Sequence, residues 1–329
     1  MKNFSRKLPL LVIAVAGLLA LGLSACGGGN DGDETARSAP SASDFPSAQG
    51  KTIEEVLNAQ KPSELVAAPA ASVFELGTNR YPFGVFDVGG KQIDDADVAL
   101  YFAKSPQSEV EGPLPAKVES LETKPAYRAK GSAGAGEATT FYLVDDIKFN
   151  RSGPWLAMAV IKGEDGFEAT RLTQSPAVGQ FPEIAGVGDK APVVSTPTAA
   201  SVGGDLAKID TRQPPDDMHE TDFKDVVGKQ PVALQFATPA LCQTRVCGPV
   251  VDVAEQVKSE AGDGVDFIHM EIYNDNDPNK GLRPQLRPYG LQTEPWMFLI
   301  GSDGKVKQRI EGPFSVEELT ADVEKLKSE

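Results

Sequence analysis

The sequence predicts an all-β sandwich followed by an α/β domain. Short apolar runs separated by turn residues fill positions 63–185, and this spacing is typical of β-sandwiches. Positions 186–329 alternate buried-type strands with segments whose apolar residues recur at helical spacing. A length of 329 residues is sufficient for two such domains behind an N-terminal segment of different composition.

That N-terminal segment has the composition of a secretory signal over residues 1–25. Basic residues at positions 2, 6 and 7 precede an apolar run from Leu8 to Leu23. The run ends in Leu-Ser-Ala-Cys26, which resembles the lipobox of bacterial lipoproteins and implies lipidation of Cys26. An uncleaved membrane anchor is the alternative interpretation.

Export and a lipid anchor together predict where the chain resides. We expect it in the cell envelope, on the outer face of the bacterial plasma membrane or in the periplasm. Residues 26–62 are rich in small and polar residues, so they predict a disordered tether. The formal net charge of −15 argues against nucleic acid as a partner.

The predicted sandwich shows strand patterning in several places. In Asp97–Phe102 every second residue, beginning with Val98, is apolar and would share one face. Together with Gly-Pro-Trp155, this patterning resembles immunoglobulin-like domains of exported bacterial proteins. Positions 63–185 contain neither histidine nor cysteine, so we interpret the segment as a structural or partner-binding module.

The strongest chemical signal lies between a predicted strand and a predicted helix. An apolar run at 232–237 precedes Cys242 and Cys247, and apolar residues then recur at helical spacing from Val250 to Val257. Free amide groups and the helix dipole stabilise a thiolate at such a position. Arg245 lies between the two cysteines and adds positive charge.

The spacing of this pair restricts how a disulfide could form. Residues five apart in a helix have Cα atoms about 8–9 Å apart, whereas a disulfide needs roughly 4.4–6.8 Å. If the two bond, Cys242 must therefore lie in the loop and Cys247 in the first helical turn. Export favours a disulfide, which leaves a redox pair, a metal site and a structural bond as alternatives.

Three stretches of positions 186–329 together resemble the thioredoxin superfamily, especially its exported TlpA-like, peroxiredoxin-like and Sco-like branches. They are Val187-Gly-Asp-Lys-Ala-Pro192, the cysteine stretch from Phe236 to Pro249, and Tyr289-Gly-Leu-Gln-Thr-Glu-Pro-Trp-Met-Phe-Leu-Ile-Gly-Ser-Asp-Gly-Lys305. The resemblance implies a thioredoxin-like α/β domain, with a central sheet flanked by helices and a cis-proline at Pro295 beside the thiols. It departs from the family in having Cys-x₄-Cys rather than Cys-x-x-Cys.

These observations favour a thiol–disulfide oxidoreductase with exported protein thiols or disulfides as partners and no cofactor. The expected catalytic residues are Cys242, Cys247, Pro295 and Arg245. We expect Cys242 to be the accessible attacking thiol and Cys247 the buried resolving thiol. Reaction at Cys247 first would favour a different register, in which Cys247-Gly-Pro-Val is the active-site motif.

Two alternatives remain open from the sequence. A Sco-like copper protein would use Cys242, Cys247 and His269 as metal ligands, because soft thiolates suit Cu(I). A non-enzymatic scaffold would keep the disulfide only as a brace. His269 lies in an apolar strand pattern and is more typical of a hydrogen-bonded core residue, while His219 lies in an acidic stretch and is expected to be solvated.

Overall fold

The computed structural model describes residues 36–130, 137–242 and 245–328. The predicted signal over residues 1–25, the predicted lipidation site at Cys26 and the first part of the predicted tether lie outside the described residues. No described helix is both long enough and apolar enough to cross a bilayer.

Residues 36–62 belong to the folded structure, which corrects the prediction of a disordered tether for this part. They include helix α1 (Ile53–Asn58), whose start is closed by reciprocal hydrogen bonds between Thr52 and Glu55. Ile53, Val56 and Phe45 are buried. The segment has few apolar residues, but those it has lie on one face and cover the outer side of a neighbouring sheet. Average composition does not reveal such an arrangement.

Among the described residues, twelve strands, paired mainly antiparallel, make up the next part of the chain. The strands are β1 (Lys61–Pro62), β2 (Val66–Pro69), β3 (Val73–Phe74), β4 (Gly77–Phe86), β5 (Asp97–Ala103), β6 (Glu111–Pro115), β7 (Lys117–Ser120), β8 (Thr140–Phe149), β9 (Gly153–Pro154), β10 (Leu156–Gly163), β11 (Gly166–Arg171) and β12 (Ala177–Val178). They form a five-stranded sheet in the order β1-β11-β10-β5-β6, a four-stranded sheet in the order β2-β4-β8-β7, and a small sheet in the order β3-β12-β9.

The two larger sheets pack face to face around one core. Phe83 of β4 and Tyr142 of β8 share this core with Leu100 and Phe102 of β5. The alternation predicted for β5 is therefore confirmed on its inner face. Tyr101, on its outer face, is also buried because α1 and the residues before it cover that side.

The C-terminal part is a mixed α/β layer. Its elements are α2 (Phe223–Val226), β13 (Val232–Phe236), α3 (Cys247–Ala261), β14 (Asp266–Met270), β15 (Trp296–Ile300), β16 (Val306–Glu311) and α4 (Val316–Lys327). The sheet order is β14-β13-β15-β16. Strands β13 and β14 are parallel, so α3 forms the crossover between them, and β15 runs antiparallel to both β13 and β16.

Both faces of this sheet are covered, which explains why all residues of β13 and β15 are buried. One face packs on α3 and α4 through a cluster that includes Ala233 and Met297. The other face, with Leu234 and Phe298, packs on α2 and on connecting loops.

The sandwich lies directly against the helical face of the α/β layer. Phe141 and Leu143 of β8 belong to the same buried cluster as Val250 of α3 and Leu319 of α4. Arg80 of β4 forms an ion pair of 2.8 Å with Glu318 of α4. The sandwich is therefore positioned to cover the element that begins at Cys247.

Candidate functional site

The junction of β13 and α3 holds a disulfide between Cys242 and Cys247. The two Cα atoms are 5.9 Å apart. Cys247 is the first residue of α3, and Cys242 lies in the loop that follows β13. The geometric prediction from the sequence is confirmed, because the loop position of Cys242 brings the two Cα atoms within the range that a disulfide requires.

The two cysteines differ in accessibility. Cys247 is fully buried, whereas Cys242 is half-buried at the edge of the same apolar cluster. Leu121 and Ala138 of the sandwich contribute to this cluster, and the Ala138 amide donates to the Arg245 carbonyl at 3.0 Å. The expected difference in burial is therefore present, and the sandwich contributes to it.

Arg245 connects the cysteine loop with the sandwich. Its side chain is exposed, and its guanidinium donates to the Gly90 carbonyl at 3.4 Å. Its backbone lies in the left-handed region, with φ of 63°. The structure thus gives the Arg245 side chain a contact with the sandwich that its position in the sequence did not indicate.

Pro295 and Glu294 lie just before β15, the neighbour of β13. The Glu294–Pro295 peptide bond is cis, as the resemblance implied. One Glu294 carboxylate oxygen and the two cysteine sulfurs lie within 4.8 Å of one another, and this carboxylate also accepts the Thr238 amide at 2.8 Å. Burial raises the pKa of Glu294 to about 8. A carboxyl group with this pKa beside two sulfurs is suited to proton transfer near neutral pH.

Glu294 was not among the residues selected from the sequence. A signal for it exists, because Glu294 immediately precedes the proline that the resemblance marked as cis. Its distance from the sulfurs depends on the pairing of β13 with β15, in which Phe236 lies opposite Trp296. The local sequence pattern does not reveal that these two strands pair.

The two histidines belong to a different group of possible metal ligands from the cysteine pair. Among the described residues, two groups bring possible metal ligands within 4.8 Å of one another, and His269 belongs to a different group from Cys242 and Cys247. The copper site expected from Cys242, Cys247 and His269 is therefore not brought together. The reason is that β14 directs His269 toward Asp216, at 2.7 Å, and toward the Ala237 carbonyl, at 3.0 Å.

His269 is a hydrogen-bonded core residue, as its strand pattern indicated. Burial by itself would lower the pKa of His269, but the adjacent Asp216 carboxylate outweighs this effect and raises it. His219 is also buried, with 2% exposure. The prediction of a solvated His219 is wrong, because the segment that carries it packs along β14 through a bond from the His269 amide to the Met218 carbonyl.

Comparison with known proteins gives little beyond this geometry. No family model matches the chain, and no curated protein matches it. Among solved structures, the chain is similar to a thiol:disulfide interchange protein of the thioredoxin family from Chlorobium tepidum TLS. The identity is 20% and the TM-score 0.30, with 42% of this chain and 95% of that chain covered.

Proposed function

We propose that this protein is an exported, membrane-anchored thiol–disulfide oxidoreductase that uses Cys242 and Cys247. The observation that carries the proposal is the disulfide at the start of α3, in which one cysteine is half-buried and the other fully buried. A helix N-terminus stabilises a thiolate. A purely structural bond across so short a loop would add little stability by chain entropy.

In the reduced protein, the Cys242 thiolate attacks a disulfide of a partner protein. A mixed disulfide forms between Cys242 and one partner sulfur, and the other partner sulfur leaves as a thiolate. The Cys247 thiol then loses its proton, and its thiolate attacks the Cys242 sulfur. This step restores the Cys242–Cys247 disulfide and releases the second partner thiolate, so the partner gains two electrons. A dithiol protein would return the site to the reduced state by the reverse exchange.

Glu294 is the group best placed to accept the proton from Cys247. Its carboxylate lies within 4.8 Å of both sulfurs, and its raised pKa makes it a stronger base than an exposed carboxylate. The buried Cys247 needs such a partner because solvent has no direct access to it. Pro295, adjacent to this carboxylate, would help to align the bound partner chain.

Export and anchoring are part of the same proposal. Their support is the signal-like composition of residues 1–25 and the lipobox-like sequence that ends at Cys26. We also propose that the sandwich is an immunoglobulin-like module, on the basis of its strand pattern. Its direct packing beside the cysteine loop suits a role in presenting partners to Cys242.

The test of this function is capture of a mixed disulfide. In a Cys247→Ser variant the second step is blocked, so the variant should retain a partner protein covalently on Cys242, identified by mass spectrometry. Cys242→Ser is the matched control and should retain none. The proposal is refuted if the wild-type disulfide resists dithiothreitol under native conditions and the reduced protein does not reduce insulin.

The assignment of roles to the two cysteines has its own test. In the reduced protein, brief iodoacetamide treatment near neutral pH should modify Cys242 about tenfold faster than Cys247, since alkylation requires an accessible thiolate. Peptide mapping measures both rates in one sample. Faster modification of Cys247 would reverse the roles and favour Cys247-Gly-Pro-Val as the active-site motif.

A second candidate function is metal binding by the reduced cysteine pair. It is favoured by the group of Cys242, Cys247 and Glu294, whose ligand atoms lie within 4.8 Å of one another. Two thiolates suit Cu(I). Titration of the reduced protein with Cu(I) tests this function, and unchanged affinity in a Cys242→Ser/Cys247→Ser variant would dismiss it.

A further inference from the structure

A second group of chemically active side chains lies at the β14 edge of the α/β sheet, apart from the cysteine pair. It consists of Asp210, Asp216 and His219, from the segment before α2, and His269 of β14. None of the four is more than 2% exposed. One ligand atom from each lies within 4.8 Å of those of the other three. The sequence separates these residues by up to 59 positions, so only the fold brings them together.

His219 has no hydrogen bond at either ring nitrogen, although its ring is buried. Its Nε2 atom points at two carboxylates, 3.5 Å from Asp210 Oδ2 and 3.3 Å from Asp216 Oδ1. Both distances exceed the range of about 2.7–3.2 Å that N–H···O hydrogen bonds occupy. A buried imidazole without a partner is costly, so this nitrogen requires an explanation.

The observed separations agree with metal coordination. In a tetrahedral site with bonds of about 2.0–2.2 Å, neighbouring ligand atoms are about 3.3–3.6 Å apart. The two distances from His219 Nε2, 3.5 and 3.3 Å, lie in this range. One imidazole nitrogen and two carboxylate oxygens form a ligand set that zinc accepts.

The surrounding hydrogen bonds hold the two carboxylates in place. Asp210 accepts the amides of Arg212 and Asp216, each at 2.7 Å. Asp216 accepts the Met218 amide at 2.9 Å through Oδ1, and His269 Nδ1 lies 2.7 Å from its Oδ2. Both nitrogens of His269 are thus engaged, one with Asp216 and the other with the Ala237 carbonyl. His269 is therefore a positioning residue for Asp216, as the polar groups around metal ligands commonly are.

We propose that Asp210, Asp216 and His219 bind a divalent metal ion of the zinc class. The ion would link the segment that carries these three residues to β14, since His269 of β14 holds Asp216 directly. All the proposed ligands are buried, so the ion would link parts of the fold rather than meet a substrate. Two carboxylates lie here beside the His269 imidazole, whose nitrogens already have hydrogen-bond partners. A divalent cation would offset the negative charge of the carboxylates.

The proposal is tested on the full chain by measuring its bound metal. After purification without added metal and equilibration with a small amount of zinc, we expect about one zinc ion per chain to survive dialysis. X-ray absorption should give only nitrogen and oxygen neighbours, at about 2.0–2.2 Å. Thermal unfolding should shift upward with zinc and downward with a chelator.

Variants identify the site and separate it from the cysteine pair. His219→Gln should weaken zinc binding by at least about tenfold, whereas Asp217→Asn, at an exposed neighbour that pairs with Lys258, should leave it unchanged. A Cys242→Ser/Cys247→Ser variant should also retain the metal. Should His219→Gln fail to fold, absorption spectroscopy of the wild-type protein still decides the ligand type.

Three results would overturn the proposal. One is a protein that binds no zinc and unfolds at the same temperature with and without the ion. Another is sulfur among the metal neighbours, at about 2.3 Å. The third is loss of metal only in the cysteine variant, which would assign the ion to Cys242, Cys247 and Glu294.

Discussion

At the scale of single residues, the cysteine site contains a carboxyl group whose ionisation is disfavoured. Glu294 is half-buried, and burial is the main cause of its raised pKa. The Thr238 amide partly offsets this effect by donating to the carboxylate at 2.8 Å. The proposed proton transfer and the stability of the oxidised protein therefore depend on the same group.

This dependence predicts how stability changes with pH. The folded-state pKa of about 8 exceeds the ordinary value of 4.5, so the folded protein binds the proton more tightly than the unfolded chain does. The resulting stabilisation is fully present below the ordinary pKa and is lost as the pH rises through the folded one. The glutamine of a Glu294→Gln variant does not ionise, so the stability of the variant should not show this decrease. The unfolding free energy of the wild type should therefore fall relative to that of the variant as the pH rises from about 4.5 to about 8.

Denaturant unfolding of both oxidised proteins at several pH values measures this difference. Glu164→Gln is a suitable control, because Glu164 is exposed in the turn between β10 and β11. Its curve should parallel the wild type. Parallel curves for wild type and Glu294→Gln would show that Glu294 has an ordinary pKa.

At the scale of secondary-structure elements, α3 is held by a buried cation. Arg212 has a side chain that is 2% exposed and donates to Asp252 at 2.8 Å, while a second nitrogen lies 2.7 Å from Glu255. Arg212 also donates to the Tyr127 carbonyl. The helix that begins at Cys247 is thus fixed both to the segment before α2 and to the sandwich.

Removal of this cation should destabilise the protein strongly. Arg212→Met keeps much of the volume but leaves Asp252 and Glu255 without their counter-charge, which typically costs about 3–5 kcal/mol. Lys280→Met is the matched control: Lys280 is 54% exposed and pairs with an exposed Asp275, so its loss should change stability by less than about 1 kcal/mol. Urea unfolding gives both values, and equal effects would contradict the inferred role of Arg212.

At the scale of the whole molecule, the sandwich and the α/β layer share a buried interface. The β8 residues Phe141 and Leu143 pack with α3 and α4 in the cluster that contains Cys247. Glu311 at the end of β16 accepts the amides of Ser72 and Val73 at 2.9 and 2.7 Å. The buried Cys247 thus shares its apolar cluster with residues of the sandwich.

The interface predicts that a sandwich mutation changes cysteine reactivity. Phe141→Ala should destabilise the protein by about 3–5 kcal/mol and, under native conditions, should increase the alkylation rate of reduced Cys247. Phe102→Ala removes an equally buried ring inside the sandwich core, so it should cost similar stability without exposing Cys247. Equal alkylation rates in the two variants would mean that the sandwich does not shield the cysteine.

Several features of the fold follow from local sequence. The positions of Cys242 in the loop and Cys247 at the helix start follow from chain geometry over five residues. Strand β15 follows from an uninterrupted apolar run, and the start of α4 follows from the Ser315 side chain, which accepts the Glu318 amide. Each of these depends on neighbours within a few positions, which periodicity and capping patterns describe.

What the sequence by itself determined is therefore local: the strand, loop and helix that carry the disulfide, and the strand patterns of the sandwich. Only the tertiary structure decided which distant side chains share a site. It placed Glu294 beside the sulfurs, buried His219 with Asp210 and Asp216, and gave the apolar residues of 36–62 a sheet to cover. The physical reason is that burial and charge pairing arise from contacts between residues far apart in the chain, and these contacts leave no periodic pattern in the sequence.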